Sequence, residues 1–256
     1  MDEPLLLLLA GLAGLAAGLL DSIVGGGGLI LTPAMLNLLP GTPILALIAT
    51  QRTSSIMGTS VAAWNYFRTV RLDWAMVLWA CGGALLASVG GVQLAKRLSP
   101  ELLKWVILGM CVVLAVYTYA RKDFGTVHAP RHADPGRMAR LALLVGIGCG
   151  FYNGLIGPGT GTLLVFAFVS VLGLDFLRAS AVSKLANVAA DLSSWTVLLC
   201  SGYVLWGVVL PLVIGNIIGS WCGSRLAILR GSHFIRGVFL VSVGGLIAKL
   251  LWDLRG

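Results

Sequence analysis

Two cationic side chains stand inside otherwise apolar stretches of this chain. Arg52 lies in the stretch Ala49–Ser55 (ATQRTSS) and Lys184 in Ala181–Asn187 (AVSKLAN). A charge at hydrocarbon depth is costly, so an ionisable residue placed there is read first as part of a binding site or an ion path. The planar guanidinium of Arg52 can grip two oxygens of an anion, whereas Lys184 offers a mobile point charge. Helical spacing puts Ser180, Lys184, Asn187, Asp191 and Ser194 on one face, and Arg52, Ser55 and Thr59 on another, with Gln51 and Ser183 next to the cations. Polar stripes on helices this apolar are expected to face a bundle interior or a water-filled path. Asp21 and Asp191 either neutralise the two cations or release and take up protons beside them, which makes both candidates for proton coupling.

The two cations are 132 positions apart (184 − 52), and the same step carries Gly18 onto Gly150, Gly25 onto Gly157, Gly27 onto Gly159, Gly41 onto Gly173 and Trp74 onto Trp206. It also carries Asp21 onto Asn153 and Lys104 onto Arg236. A constant step without gaps predicts an internal duplication. Each half contains a glycine-rich break at the matched place. Asp21–Gly28 (DSIVGGGG) closes the first apolar segment, and Asn153–Gly161 (NGLIGPGTG) closes its counterpart. Four successive glycines, each disfavoured in a helix by about 1 kcal/mol relative to alanine, do not form a helix interior, and Pro158 removes a donor as well. Broken backbone survives in lipid only where protein buries it or a water-filled cavity adjoins it. The backbone amides of Gly25, Gly26, Gly27 and Gly28, and those from Gly157 through Gly159 to Gly161, are therefore expected to open towards an anion at a helix N-terminus. The competing reading is close helix packing through small residues. A nucleotide-binding loop is excluded, because neither a Walker lysine nor a strand accompanies the glycines.

The elements that must position these groups are membrane helices. Of 256 residues, 58% are hydrophobic and only 11% charged, with a mean hydropathy of +0.94, against roughly 25% charged in a soluble domain. The expected fold is an all-α polytopic bundle. Apolar segments run over 4–24, 29–39, 42–67, 74–95 and 101–120, then over 138–156, 160–173, 175–200, 204–224 and 234–252. This divides the chain into a first membrane repeat (1–120), a cytoplasmic linker (121–137) and a second membrane repeat (138–256). Most segments approach the ~20 residues that cross ~30 Å of hydrocarbon; the second of each half is short, either a tilted crossing or a re-entrant half-helix. If all five cross, Arg68, Arg71, Arg121, Lys122, Arg131, Arg137, Arg140, Arg178, Arg225, Arg230 and Arg236 fall on one side, leaving Lys96, Arg97, Lys104, Lys249 and Arg255 on the other. The positive-inside rule then predicts a cytoplasmic linker and an external N-terminus, and five crossings per half make the repeats inverted. Arg52, about ten residues past Thr42, would sit ~15 Å along its helix, near the bilayer centre.

The remaining chemistry is sparse. Cys81, Cys111, Cys149, Cys200 and Cys222 form no C-x-x-C pair and are expected to pack as small apolar residues. His128 and His132 lie in the polar linker and are read as solvated rather than as metal ligands. No nucleophile–base arrangement supports an enzyme, and no cofactor or metal is expected. A net charge of +8 is assigned to loops facing anionic membrane lipid, not to nucleic acid. Small-residue stretches such as Gly82-Gly83-Ala84 and Gly90-Gly91 permit helix contacts within one chain or across a homodimer.

At Gly18–Pro33 (GLLDSIVGGGGLILTP), with ATQRTSS downstream, the chain resembles the TauE/SafE family of membrane permeases. Gly150–Gly161 (GFYNGLIGPGTG), the AVSKLANVA stretch from Ala181 and the SWCGSRL stretch from Ser220 extend the resemblance over essentially the whole chain. It implies a multi-pass bacterial inner-membrane protein and an exporter of sulfite or an organosulfonate. The family's first basic position is commonly a lysine after Thr-Asn, where this chain has Thr50-Gln51-Arg52. The cation is kept, but its shape changes. The reading reached is a proton-coupled secondary transporter exporting sulfite, with Arg52 and Lys184 on the anion, Gln51, Ser55, Ser183 and Asn187 assisting, and alternating access around a midplane site. Its rivals are a permease for a larger organosulfonate such as sulfoacetate or another small organic anion, and an anion channel.

Overall fold

A computed structural model describes residues 3–97 and 134–253, and among them every regular element is a helix. The helices are α1 (Glu3–Val24), α2 (Gly27–Leu38), α3 (Ile44–Thr69), α4 (Trp74–Ala95), α5 (Pro135–Leu155), α6 (Thr160–Ala167, continued by a π turn at Phe168–Leu172), α7 (Phe176–Cys200) and α8 (Trp206–Asp253). The all-α bundle read from composition is the fold observed. The expected apolar segment at 101–120, most of the linker, Lys104, Trp105, Cys111, His128 and His132 lie outside the described residues.

Helix starts follow local chemistry. Asp73, Asp134 and Asp175 cap α4, α5 and α7, their carboxylates accepting from Ala75 and Met76, from Gly136 and Arg137, and from Arg178 respectively. Each such cap stabilises a helix by about 1 kcal/mol. The cap at Asp134 and Pro135 in the first turn start α5 three residues ahead of the apolar segment expected from 138, because capping residues are polar and hydropathy does not register them. Glu3, Ile44 and Trp74, which begin α1, α3 and α4, shift by 132 onto Pro135, Phe176 and Trp206, which begin α5, α7 and α8. The two last apolar segments, 204–224 and 234–252, form two successive helical stretches within the span α8, separated by the non-helical backbone of Gly231 (φ 70°, ψ −168°).

Packing repeats with the same step. α1 lies along α8 and α4 along α5, the two most extensive contacts in the bundle. Gly14 and Gly18 of α1 rest on the carbonyls of Leu212 and Asn216; 132 positions on, Gly146 and Gly150 of α5 rest on those of Ala80 and Ala84. A Cβ at any of these four would lie within 2.5 Å of a carbonyl oxygen, so the backbones meet where only glycine fits. Contact positions rise together in both helices of each pair, so both pairs are parallel. α3 also runs with α8, through Ser54 Oγ on the Leu212 carbonyl and Asn65 Nδ2 on Ser224 Oγ (both 2.9 Å). α7 runs against them, since Asp175 at its start meets Ser232 of α8 and Trp195 near its end donates to Thr53 of α3. α4 packs along α7, Met76 and Val77 sharing one apolar cluster with Phe176 and Ala179 and Val92 another with Leu198, so the two run the same way. Thus α1, α3 and α8 point one way and α4, α5 and α7 the other. α2, whose Leu31 and Met35 pack on Ala10 and Ala17 of α1, carries the chain back between α1 and α3. At ~1.5 Å per residue it covers only ~18 Å, less than the ~30 Å of a hydrocarbon layer.

Among the described residues, four helical spans are long and apolar enough to cross a membrane: α1, α4, α5 and the Trp206–Ser242 part of α8. α3 and α7, with 26 and 25 residues, have the length but carry the polar stripes. Thr50, Gln51, Arg52, Thr53, Ser54 and Thr59 of α3 are buried, as are Ser180, Ser183, Lys184, Asn187, Asp191 and Ser194 of α7. The two polar helices therefore occupy the interior, and apolar helices with exposed Leu8, Leu78, Leu86, Leu144 and Leu210 surround them.

Candidate functional site

Both helix breaks are built by glycine in the left-handed region. α1 stops because Gly25 takes φ 87° and donates its N–H to the Asp21 carbonyl (2.7 Å). α2 then begins with no side-chain cap of its own. The Asp21 carboxylate reaches forward and accepts from Gly27 N (3.2 Å), supplying the missing cap from the preceding helix. In the second half Gly157 (φ 86°) and Gly159 (φ 85°) end α5 and admit α6. The two breaks touch: Thr162 N donates to the Gly25 carbonyl (3.3 Å), and a Cβ on Gly25 would meet the backbone of Gly161 at 2.2 Å.

Between the breaks lies a cavity with about 50 Å³ of room for a water-sized solute. A single water needs roughly 10–15 Å³ on this measure, so the space suits a few waters or one small polyatomic ion. Gly25, Gly27, Gly28, Gly157, Gly159 and Gly161 line it, together with Gln51, Arg52, Ser55, Asn187, Asp21 and Asp191. The first turns of α2 and α6 both open onto it, and the partial positive charge of a helix N-terminus favours an anion there.

Each cation crosses to the opposite half. Arg52 Nη2 donates to the carbonyl of Asn153, and Lys184 Nζ donates to the carbonyl of Asp21, which lies 132 positions before Asn153. Side chains then break the equivalence. Lys184, fully buried, also meets the Asp21 carboxylate at 3.5 Å, so it is held in an ion pair behind the cavity wall. Arg52 finds the neutral amide of Asn153 at the corresponding place. Arg52 lines the cavity, and its buried Nε and Nη1 have no hydrogen-bond partner among the described residues. Unpaired buried donors on a guanidinium are expensive, which marks them for an acceptor. A Cβ on Gly157 would stand 3.0 Å from Arg52 Nη2, so glycine is what lets the guanidinium reach this wall.

The acids are divided in the same mirrored manner. Asp21 on α1 accepts from Thr59 Oγ1 of α3 (3.0 Å); at the positions 132 later, Asn153 on α5 donates to Asp191 of α7 (2.8 Å). Asp191 also accepts from Asn187 Nδ2 at 3.0 Å. Gln51 bonds Thr32 of α2 (2.7 Å), tying α3 to the first break.

A model of the family described as "Sulfite exporter TauE/SafE" matches residues 10–250. The chain belongs to the TauE/SafE family. Over 245 residues it is 32% identical to a probable membrane transporter protein, ORF9, of Sinorhizobium sp, covering 94% of this chain and 90% of that one. A probable membrane transporter protein of Haemophilus influenzae is 30% identical over 250 residues, with 94% and 92% covered. YfcA, a probable membrane transporter protein of Escherichia coli K12, is 29% identical over 266 residues, with 100% and 93% covered. No solved structure matches the chain. The protein is thus a multi-pass bacterial membrane transporter.

Within this TauE/SafE chain the cavity gathers most of the residues singled out from sequence. Ser183, Gly26 and Lys184 are not on its wall; Ser183 instead donates to the Ser180 carbonyl of its own helix. The cavity adds Pro158, Thr160 and Asn216. Asn216 belongs to apolar α8 and stands where the first half has Ala84, so neither the repeat nor a polar stripe could reveal it.

Proposed function

We propose that the chain exports a small sulfur oxyanion, with sulfite as substrate, and that the anion binds in the cavity between the two breaks. The supporting observation is that Arg52, with two donors unpartnered among the described residues, lines a cavity onto which two helix N-termini open. A pyramidal three-oxygen anion can accept from Nη1 and the adjoining Nη2 along the end of the Arg52 guanidinium and present its third oxygen to the amides of Gly27, Gly28 or Gly161. The cavity volume favours such a compact ion over a longer organosulfonate.

Arg52, Lys184, Asp21 and Asp191 carry charges that sum to zero in the vacant site. A dianion would leave this buried region two charges negative. A proton on Asp191, held by Asn153 and Asn187 beside the cavity, offsets one of them. Anion and proton then bind together, and an inside-negative potential drives the remaining negative charge outward. Lys184 and Asp21 serve as the fixed pair that holds α7 against the end of α1. Movement alternates access by rocking one repeat on the other, and the opposite directions of α1 and α5, α3 and α7, and α4 and α8 suit an inverted repeat. The end where Arg68, Arg71, Arg137, Arg178, Arg225 and Arg230 gather is taken as cytoplasmic.

The test is sulfite flux through sealed proteoliposomes under an imposed potential at several pH values. Flux should saturate with sulfite and rise as the medium is acidified. Asp191→Asn should keep flux and lose the pH dependence. Flux indifferent to pH in the unmodified protein would speak instead for an anion channel.

A further inference from the structure

A second basic site lies away from the central cavity, where α3 and α8 part company. The two helices are clamped at Gly58, whose space is taken by Asn216, and again at the Asn65–Ser224 hydrogen bond. One turn further they enclose a cleft of about 460 Å³ lined by Asn65, Arg68 and Thr69 of α3 and Arg225, Ile228 and Leu229 of α8. Among the described residues neither guanidinium has a carboxylate within 4 Å. Each is instead steered by an aromatic ring: Arg225 stacks 4.1 Å from the centre of Trp221, and Arg68 lies 5.9 Å from that of Trp64. Stacking fixes where a flexible cation stands and leaves its N–H edge free to donate.

The surroundings identify the kind of acceptor. Trp64, Phe67 and Trp74 form an exposed aromatic cluster at this end of the bundle, with successive ring centres 5.6 and 5.4 Å apart. Exposed tryptophans at helix ends mark the headgroup level of a bilayer. The lip of the cleft is apolar, Leu229 being 82% exposed, so a ligand lying there has an apolar flank beside its charge. A free inorganic anion would gain nothing from that flank; a phospholipid uses both.

We propose that this cleft binds the phosphate of an anionic phospholipid between Arg68 and Arg225, with an acyl chain against Ile228 and Leu229. The second hydrogen of Asn65 Nδ2, whose first goes to Ser224, offers a further donor to the headgroup. A lipid so placed bridges α3, which carries Arg52, to α8, and its occupancy couples membrane composition to the stability of the bundle.

The experiment titrates detergent-purified full-length protein with phosphatidylglycerol, phosphatidylcholine of matched chains, or inorganic phosphate, reading thermal unfolding and lipid retained in native mass spectra. Phosphatidylglycerol should stabilise and be retained, and phosphatidylcholine and phosphate should not. Each of Arg68→Gln and Arg225→Gln should weaken retention roughly fivefold, the equivalent of one charged contact at a lipid surface, while Arg71→Gln, outside the cleft, should not. Equal stabilisation by phosphatidylcholine or by phosphate overturns the proposal, as does undiminished retention in the double variant. The three ligand arms on the unmodified protein decide the matter even if a variant is not recovered folded.

Discussion

Gly25 carries two demands at once, and substitution to alanine separates them from each other when compared with two neighbours. Its φ of 87° lies in the left-handed region, which costs a non-glycine residue roughly 1–2 kcal/mol. Its missing Cβ would also collide with Gly161 C at 2.2 Å and Thr162 N at 2.6 Å, backbone atoms that have no rotamer to escape into. Overpacking of this kind costs about 1–3 kcal/mol, and parting the breaks sacrifices the Thr162–Gly25 hydrogen bond, worth about 1 kcal/mol. Gly25→Ala should therefore lose about 3–6 kcal/mol. Gly41→Ala has the same backbone conformation (φ 81°) with nothing within 4 Å, so it should lose only the conformational part, about 1–2 kcal/mol. Gly161→Ala, free of a positive φ but meeting Gly25 Cα at 2.5 Å, should fall between. Denaturant-induced unfolding of the three variants in one detergent gives the order, and sulfite flux should fail in Gly25→Ala and Gly161→Ala while surviving in Gly41→Ala. If Gly25→Ala proved no less stable than Gly41→Ala, the contact between the two breaks would be wrong.

Two further substitutions probe the charges around the cavity. Asp21→Asn leaves the fully buried Lys184 with a neutral neighbour and should destabilise the fold by about 3–5 kcal/mol; adding Lys184→Met should recover most of that loss, measured as a double-mutant cycle of thermal unfolding in detergent. Gly157→Ala, at φ 86°, should lose the same conformational part as Gly41→Ala, about 1–2 kcal/mol, and its Cβ 3.0 Å from Arg52 Nη2 should weaken sulfite binding where Gly41→Ala does not, a difference that binding titrations and unfolding curves on the two preparations would resolve.

How far the sequence discloses this arrangement depends on which interactions are local. The repeat is legible because it contains no gaps: helix starts at Glu3, Ile44 and Trp74 return at Pro135, Phe176 and Trp206. The polar stripe on α7 is legible because its period is helical, and all five of its members are buried. The partners of the cations are not. Lys184 and Asp191 share a face, yet seven residues of helix separate them by ~10 Å, too far to touch. Asn187, four residues before Asp191, does reach it, as that spacing allows. Lys184 turns to Asp21, 163 positions away, and only the tertiary meeting of α7 with the end of α1 brings them together. The two cations expected together on an anion thus stand apart: Lys184 is paired with Asp21, whereas Arg52 lines the cavity with two donors unpartnered among the described residues.

That distinction between the cations is what the account rests on, and ligand-induced stabilisation measures it directly. A saturating solute at a hundred times its dissociation constant stabilises its protein by about 2.7 kcal/mol. Purified protein should show a saturable rise in unfolding temperature with sulfite, Arg52→Gln should show none, and Arg52→Lys, which restores charge without the fork, should show a smaller one. An Arg52→Gln protein that sulfite stabilises as fully as the unmodified chain would contradict the assignment.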